Sequence, residues 1–345
     1  MAEVKFDRSL SDDPANLVRL GCALMGSGRG GQAVALVERL LEEHPGDPMW
    51  LEAARAVLSH GVPGFHRSML ADAARDDAYA RAIRETIVPG DLVLDIGAGS
   101  GLLAMMAAEA GAARVVACEA HPALAETARE IVRRNGFAET IEIVAARSTS
   151  LERSGPLEGG ADVIVAEIFS HTLIDEGAIE SLNHGMKVLA RPGARIVPAS
   201  ASVRVALVEY TGELAPPLGR VAGFDLSHFD RHMPNTITVP THSRHLHLRS
   251  GPATLFAFDF AGGEAPAEAR QRLALASTGG TVTGVAQWIA LQLSEGVDYE
   301  NAPGRDRRSH WPCVVYPFEK PVHTAPGEQV SIEGWHDELR LRIWR

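Results

Sequence analysis

Between about Pro14 and His60, apolar residues recur at helical spacing. Leu17, Leu20, Gly21 and Leu24 share one face, and after the break Gly26-Ser27-Gly28-Arg29-Gly30-Gly31 the period resumes at Ala33, Val37 and Leu40 and stops at Pro45. This predicts two helices joined by a glycine turn, with Trp50–Leu58 as a third helix packing on them. Farther on, the texture changes to short apolar runs at Leu92–Asp95, Arg114–Glu119, Ile141–Val144, Asp162–Glu167 and Ala194–Val197. Helical patterns at Leu102–Ala110, Ala123–Arg134 and Glu176–Leu189 lie between them. Strands that are apolar throughout, rather than alternating, belong to a parallel sheet covered by helices on both faces. After Pro198 the β-type stretches Ala201–Tyr210, His242–Arg249, Ala253–Phe260, Thr281–Leu293, Cys313–Phe318 and Gln329–Ile332 are separated by glycine and proline turns. They predict an antiparallel barrel or sandwich. The polar segment Gly223–Thr241 shows no core pattern and reads as an insertion.

The expected organisation is therefore a short all-α module over residues 1–60, an α/β doubly wound (Rossmann-like) domain over 61–198 and an antiparallel β-barrel over 199–345. The 345 residues are 46% hydrophobic and 22% charged, an ordinary globular composition. With 33 basic against 44 acidic residues the net charge is −11, which argues against a nucleic-acid partner and suits a basic one. Cys22, Cys118 and Cys313 are too scattered for a disulfide framework or a cysteine zinc site. The opening stretch MAEVKFDRSLSDD is too polar for a signal peptide, and no apolar run reaches membrane-spanning length, so a cytoplasmic protein is expected. In His242-Ser243-Arg244-His245-Leu246-His247 two histidines share a strand face, but no acid or cysteine stands nearby and no metal is expected.

The loop Asp95-Ile96-Gly97-Ala98-Gly99-Ser100-Gly101 follows the first strand and opens a helix. Gly97, Gly99 and Gly101 permit a tight turn and let a ligand lie against bare backbone in front of a helix N-terminus. Glu119 ends the second strand, 22 residues after Gly97, where a carboxylate can accept from both ribose hydroxyls. The segment resembles motif I of S-adenosylmethionine-dependent methyltransferases. A nicotinamide enzyme fits less well, because the third glycine arrives one residue early. Beyond the fourth strand, Glu167 and Glu176 bracket a loop at the sheet edge where ligands bind in such folds. Taken alone, a solvated strand end and an acid at a helix N-terminus describe them equally well.

Several motifs in order resemble the protein arginine N-methyltransferase family. They are the two glutamates nine residues apart with Gly177-Ala178-Ile179 following; His66-Arg67-Ser68-Met69-Leu70-Ala71-Asp72-Ala73-Ala74-Arg75; Ser309-His310-Trp311 before Cys313-Val314-Val315-Tyr316; and Gly223-Phe224-Asp225-Leu226-Ser227. The continuation after Glu176 is similar to the branch with divergent hairpins, and the resemblance runs from about His60 to Ile332. It implies that Glu167 and Glu176 clamp the substrate guanidinium and that Asp72 pairs with His310 as a proton outlet. A hydrogen bond that merely fastens barrel to sheet is the other reading of that pair. The resemblance further implies that His66, Met69, Arg75, Ser148 and Thr149 join Asp95, the glycines and Glu119 around the cofactor. Trp311 and Trp288 either line an arginine channel or pack the core. Residues 223–241 are implied to form a dimerisation arm, hence a homodimer. The first two helices resemble one tetratricopeptide repeat, as a docking module or a simple cap. The chain departs from the family at Ser59-His60-Gly61-Val62-Pro63-Gly64, where an aromatic-rich helix is usual, at Ser309 for threonine, and at Ser148-Thr149 for an acid.

A guanidinium is a poor nucleophile, protonated and delocalised. Two carboxylates can grip its planar fork and hold the positive charge away from the attacking nitrogen. The sequence thus points to S-adenosylmethionine-dependent methylation of arginine in a basic protein or peptide. The alternatives are a small guanidino compound or another nucleophile as acceptor, or a non-catalytic docking protein on the same scaffold.

Overall fold

The computed structural model describes residues 13–62, 64–213, 218–233, 235–304 and 308–345. The polar N-terminal stretch through Asp12 lies outside these residues, as do Pro63 of the departing segment and Pro234 of the arm.

Three helices come first: α1 (Pro14–Gly26), α2 (Gly30–Glu43) and α3 (Pro48–Leu58). Asp13 caps α1 by accepting from the Ala15 amide at 2.9 Å, and Asp47 caps α3 by accepting from Met49 at 2.8 Å. In both helices proline takes the first position, where no amide is needed. Leu17, Leu24, Ala33, Leu36, Val37, Leu40, Trp50 and Val57 form their shared core. Gly21 lets α1 and α3 approach closely, since a Cβ there would stand 2.5 Å from a Val57 methyl carbon.

Next come α4 (His66–Leu70), α5 (Ala73–Thr86), β1 (Leu92–Ile96), α6 (Leu102–Glu109), β2 (Arg114–Cys118), α7 (Pro122–Arg134), β3 (Ile141–Val144), β4 (Ala161–Ala166), α8 (Ala178–His184) and β5 (Ala190–Val197). The strands form one sheet in the order β3-β2-β1-β4-β5, and β1 pairs in parallel with both β2 and β4. The chain reverses its direction of winding at β1, which opens the crevice expected of a doubly wound sheet. Gly30 of α2 abuts Pro122 of α7, so the N-terminal helices are packed onto this layer. The helix predicted over Glu176–Leu189 is shorter. It consists of a 3₁₀ turn, α8 and a π-turn at Gly185–Leu189, and β5 begins at Ala190 rather than Ala194. Gly185 lies against the sheet, where a Cβ would come within 2.9 Å of Ile96.

The remaining strands are β6 (Ser200–Tyr210), β7 (Arg220–Val221), β8 (Phe224–Asp225), β9 (Ile237–Val239), β10 (Leu246–Leu248), β11 (Ala253–Asp259), β12 (Ala269–Ser294), β13 (Val297–Glu300), β14 (Cys313–His336) and β15 (Leu341–Trp344). Apart from the small β7–β8 pair they make an eight-stranded antiparallel sheet along β10-β6-β12-β14-β15, with β11 on β6, β13 on β12 and β9 on β14. The short stretches seen in the sequence merge into two long strands, because register shifts at Ala276/Thr278 and Val282/Gly284 carry them through their glycines. Within the arm, a 3₁₀ turn spans Ser227–His232, and Phe224, Phe229 and Met233 are exposed. No helix among the described residues is long and apolar enough to cross a membrane.

By contact the chain divides into two compact units. One holds the N-terminal helices, Ile83–Glu167 and His184–Arg195; the other holds Ser68–Ala82, Ile168–Asn183 and Ile196–Arg345. The units are not contiguous in sequence.

The tight α1–α3 contact sets an expectation. Gly21→Ala should destabilise the helical layer by about 1–3 kcal/mol through overpacking, read as faster hydrogen exchange across α1–α3. Adding Val57→Ala should recover part of the loss, and unchanged exchange in Gly21→Ala would refute the close-approach account.

Candidate active site

In the parallel-sheet unit, Asp95 is the penultimate residue of β1 and the glycine loop follows the strand. Gly97, Gly99 and Gly101 all have positive φ (78°, 54° and 80°), the left-handed region that glycine adopts without strain. The Gly97 and Ala98 amides donate to the Cys118 carbonyl at 2.9 and 3.0 Å, which ties the loop to the end of β2. Glu119 is 8% exposed; its Oε2 accepts from Gly99 at 2.9 Å and its Oε1 from His121 at 2.7 Å. The acid foreseen as a ribose ligand thus also shapes the loop, and each oxygen keeps further lone-pair capacity. Asp95 is fully buried, and neither carboxylate oxygen makes a hydrogen bond among the described residues. Burial raises its pKa to about 7, the Ala104 amide opposes the shift, and nearby Glu119 adds to it.

His66 is half-buried on α4, and burial lowers its pKa while Glu119 draws it upward. Ser148 and Thr149 sit on a 3₁₀ turn beyond β3, with Ser148 buried. Glu167 follows β4 directly and is half-buried.

The second unit gathers the other foreseen residues. Asp72 and His310 meet: the ring Nδ1 lies 2.9 Å from Asp72 Oδ2, with their side chains 2% and 4% exposed. The same oxygen accepts from the Tyr299 hydroxyl at 2.8 Å, the His310 amide at 3.0 Å and the Ser309 hydroxyl at 3.3 Å. Burial pushes the Asp72 carboxyl up, but these hydrogen bonds outweigh it and hold the group well below the usual carboxylate range. Tyr299 and Asn301 carry no motif in the sequence. Asn301 accepts from the Ile289 amide and donates to the Trp311 carbonyl, bracing the loop that bears His310. Arg75 is buried and ion-paired with Asp76 at 2.6 Å, and Met69 is half-buried.

Glu176 is on the hairpin that follows Glu167. Both Leu173 (φ 76°) and Glu176 (φ 75°) are left-handed without being glycine, at a cost of about 1–2 kcal/mol each. Leu173 and Ile174 are buried and anchor the turn, and Thr172 Oγ1 donates to Asp175 at 2.7 Å. Two donors, one from the loop before β14 and one from β12, hold hairpin carbonyls: Trp311 Nε1 to Phe169 at 3.0 Å and Gln287 Nε2 to His171 at 3.1 Å. Glu176 is exposed, and partial desolvation and adjacent Asp175 push its carboxyl upward. Glu176, Met69 and Arg75 belong to this unit, whereas Glu167, His66 and the glycine loop belong to the first. Trp288 is 1% exposed within the apolar cluster of Val208, Cys313 and Val315, and its Nε1 donates to Glu300 at 2.6 Å. Of the two roles open to it, core packing is what these surroundings describe. Among the described residues no group of three His, Cys, Asp or Glu side chains is arranged to hold a metal ion.

Residues 80–193 match the family model of the ribosomal protein L11 methyltransferase. Over 336 residues the chain is 34% identical to the arginine N(omega)-methyltransferase of Streptomyces achromogenes subsp. streptozoticus, covering 94% of this chain and 92% of that protein. It is 32% identical over 310 residues to protein arginine N-methyltransferase 1.6 of Arabidopsis thaliana and 32% over 313 residues to protein arginine N-methyltransferase 7 of Caenorhabditis briggsae. These alignments cover 78% and 79% of this chain but 41% and 46% of the relatives, so the chain spans less than half the length of each. Among solved structures, the Trypanosoma brucei protein arginine methyltransferase 1 enzyme–prozyme heterotetramer with AdoHcy matches with a TM-score of 0.70 at 25% identity. That match covers 80% of this chain and 88% of the other. Protein arginine methyltransferase 10 of Arabidopsis thaliana shares the fold, with a TM-score of 0.65 at 19% identity over 78% of this chain and 86% of the other.

Because Asp95 folds with its carboxyl raised to about 7 from an ordinary value near 3.8, its contribution to stability is fullest below about pH 4 and is lost as pH climbs through about 7. Thermal midpoints of the ligand-free protein should therefore fall, relative to those of Asp95→Asn, across that window. A difference independent of pH would contradict the assignment.

Proposed function

The chain belongs to the protein arginine N-methyltransferase family, and from that premise we propose that it methylates a terminal guanidino nitrogen of arginine in a basic protein or peptide, using S-adenosylmethionine. The residues of the parallel-sheet unit suit that cofactor. The left-handed glycines leave bare backbone ahead of α6, Glu119 has spare acceptor capacity for hydroxyls, and the unpartnered Asp95 carboxylate complements a cationic amino-acid head. When bound, the cofactor supplies an electrophilic methyl on a sulfonium.

The chain's own residues do the rest. Glu167 and Glu176 receive the guanidinium through charge-assisted hydrogen bonds, localise its positive charge on the gripped nitrogens and orient the free one. His310, fixed by Asp72, takes the proton that this nitrogen sheds. Arg75, kept buried and rigid beside Asp76, is the partner for a carboxylate on the cofactor. The observation that carries the reading is the hairpin: a glutamate in a left-handed conformation, on a turn pinned from below, is a costly feature that a docking scaffold does not need.

A second reading has an observation of its own. The bacterial relative that this chain nearly spans is named for arginine, without the word protein. Free arginine, or another small guanidino compound, is therefore the alternative acceptor. The exposed Phe224, Phe229 and Met233 support self-association through the arm, and the unpaired cysteines accord with a reducing, cytoplasmic setting.

Glu167→Gln and Glu176→Gln should each lower methyl transfer by about a hundredfold or more while leaving cofactor affinity within about threefold. Labelled cofactor, arginine-rich peptides, free arginine and mass spectrometry make the measurement. Undiminished turnover in both variants would overturn the clamp, and label on free arginine alone would select the second reading. Light scattering should find a dimer that Phe224→Ser with Phe229→Ser converts to monomers; a wild-type monomer at micromolar concentration would rule out the arm as an interface.

A further inference from the structure

Gln287 occupies the middle of β12, opposite Val205 of β6 and Val314 of β14, with Ala286 and Trp288 as chain neighbours. It is 0% exposed. Its Nε2 donates to the His171 carbonyl at 3.1 Å, whereas its Oε1 has no hydrogen-bond partner among the described residues. An amide buried in a valine- and alanine-rich sheet and only half satisfied is a poor choice for the fold itself. Methionine or leucine would fill similar space without an unpaired oxygen. The bond it does make reaches 116 residues back along the chain, to the hairpin that carries Glu176.

The hairpin needs such a bond. Its residues Leu173 and Glu176 are held in left-handed conformations that side chains resist, so the surroundings must over-determine the turn. Trp311 fixes the carbonyl of Phe169, and Gln287 fixes that of His171 two residues later. Leu173 follows two residues after that, and Glu176 three beyond it.

We infer that Gln287 is a positioning residue for arginine methylation, setting the placement of Glu176 through its hydrogen bond to the His171 carbonyl. The inference rests on the reading of Glu176 as half of the guanidinium grip.

Gln287→Met and Gln287→Leu delete the donor and keep an apolar side chain in its place. Each should lower kcat about ten- to a hundredfold, with cofactor affinity unchanged and the thermal midpoint equal to or above wild type. The two sites should also be coupled. Glu176→Asp should lower kcat by shortening the same side chain, and combining it with Gln287→Met should bring no further fall, because both changes misplace one carboxylate. Wild-type kcat in both Gln287 variants would overturn the inference. So would parallel losses of kcat, cofactor affinity and thermal midpoint, or failure of both variants to fold, since each marks a merely structural role. Multiplicative losses in the double variant would do the same. If Glu176→Gln and Glu176→Asp both retain full kcat, the reading of Glu176 fails first and this inference falls with it. A normal Gln287→Met beside a defective Glu176→Gln removes the inference alone.

Discussion

One carboxylate oxygen organises the chemistry of the antiparallel-sheet unit. Asp72 Oδ2 accepts from the Tyr299 hydroxyl, from both the ring and the amide of His310, and from Ser309, while Oδ1 accepts from the Arg75 amide at 3.2 Å. These donors come from the start of α5, from β13 and from the loop before β14, up to 238 residues from Asp72 itself. So many donors keep the group anionic although it is buried, which is the condition for a buried charge to be tolerated at all. The order spreads outward, because Ser309 Oγ also accepts from the Trp311 amide and Trp311 in turn holds the Phe169 carbonyl. A carboxylate just ahead of a helix thereby helps to determine where a hairpin about a hundred residues away begins.

The parallel-sheet unit is the more legible part of the sequence, and for a physical reason. Strands buried on both faces are uniformly apolar, helices between them keep a 3.6-residue period, and a cofactor loop that must bare its backbone advertises itself in glycines. Asp95, Gly97, Gly99, Gly101 and Glu119 are local in sequence and local in space, so their grouping can be read from spacing. The pairing of Asp72 with His310 has no such signal; only a resemblance across several motifs proposes it, and the hydrogen bond between their side chains gives it a geometry.

What escapes the sequence is mostly single polar residues within β-type runs. Tyr299, Asn301 and Gln287 look like ordinary members of strands or turns, yet their partners are Asp72, Trp311 and His171. No periodicity encodes a contact of that kind, because burial of a polar side chain is decided by where the donor on the other element arrives. The strand lengths were hidden for a related reason. Gly279 and Gly280 read as a turn, but with φ of 91° and 97° they sit inside β12, and the pairing with β14 shifts register there and continues. Trp288 shows the converse, an aromatic side chain whose residue type suits a channel and whose position suits a core.

The left-handed backbone at position 176 has an evolutionary corollary. Glycine or asparagine would occupy that conformation with less resistance than glutamate, so drift under selection for thermal robustness alone has a downhill path away from the acid. On the proposed reading of Glu176 as half of the guanidinium grip, demand for turnover opposes that drift. In a lineage released from catalysis, position 176 is therefore where decay is favoured to begin, long before the sheet beneath it loosens.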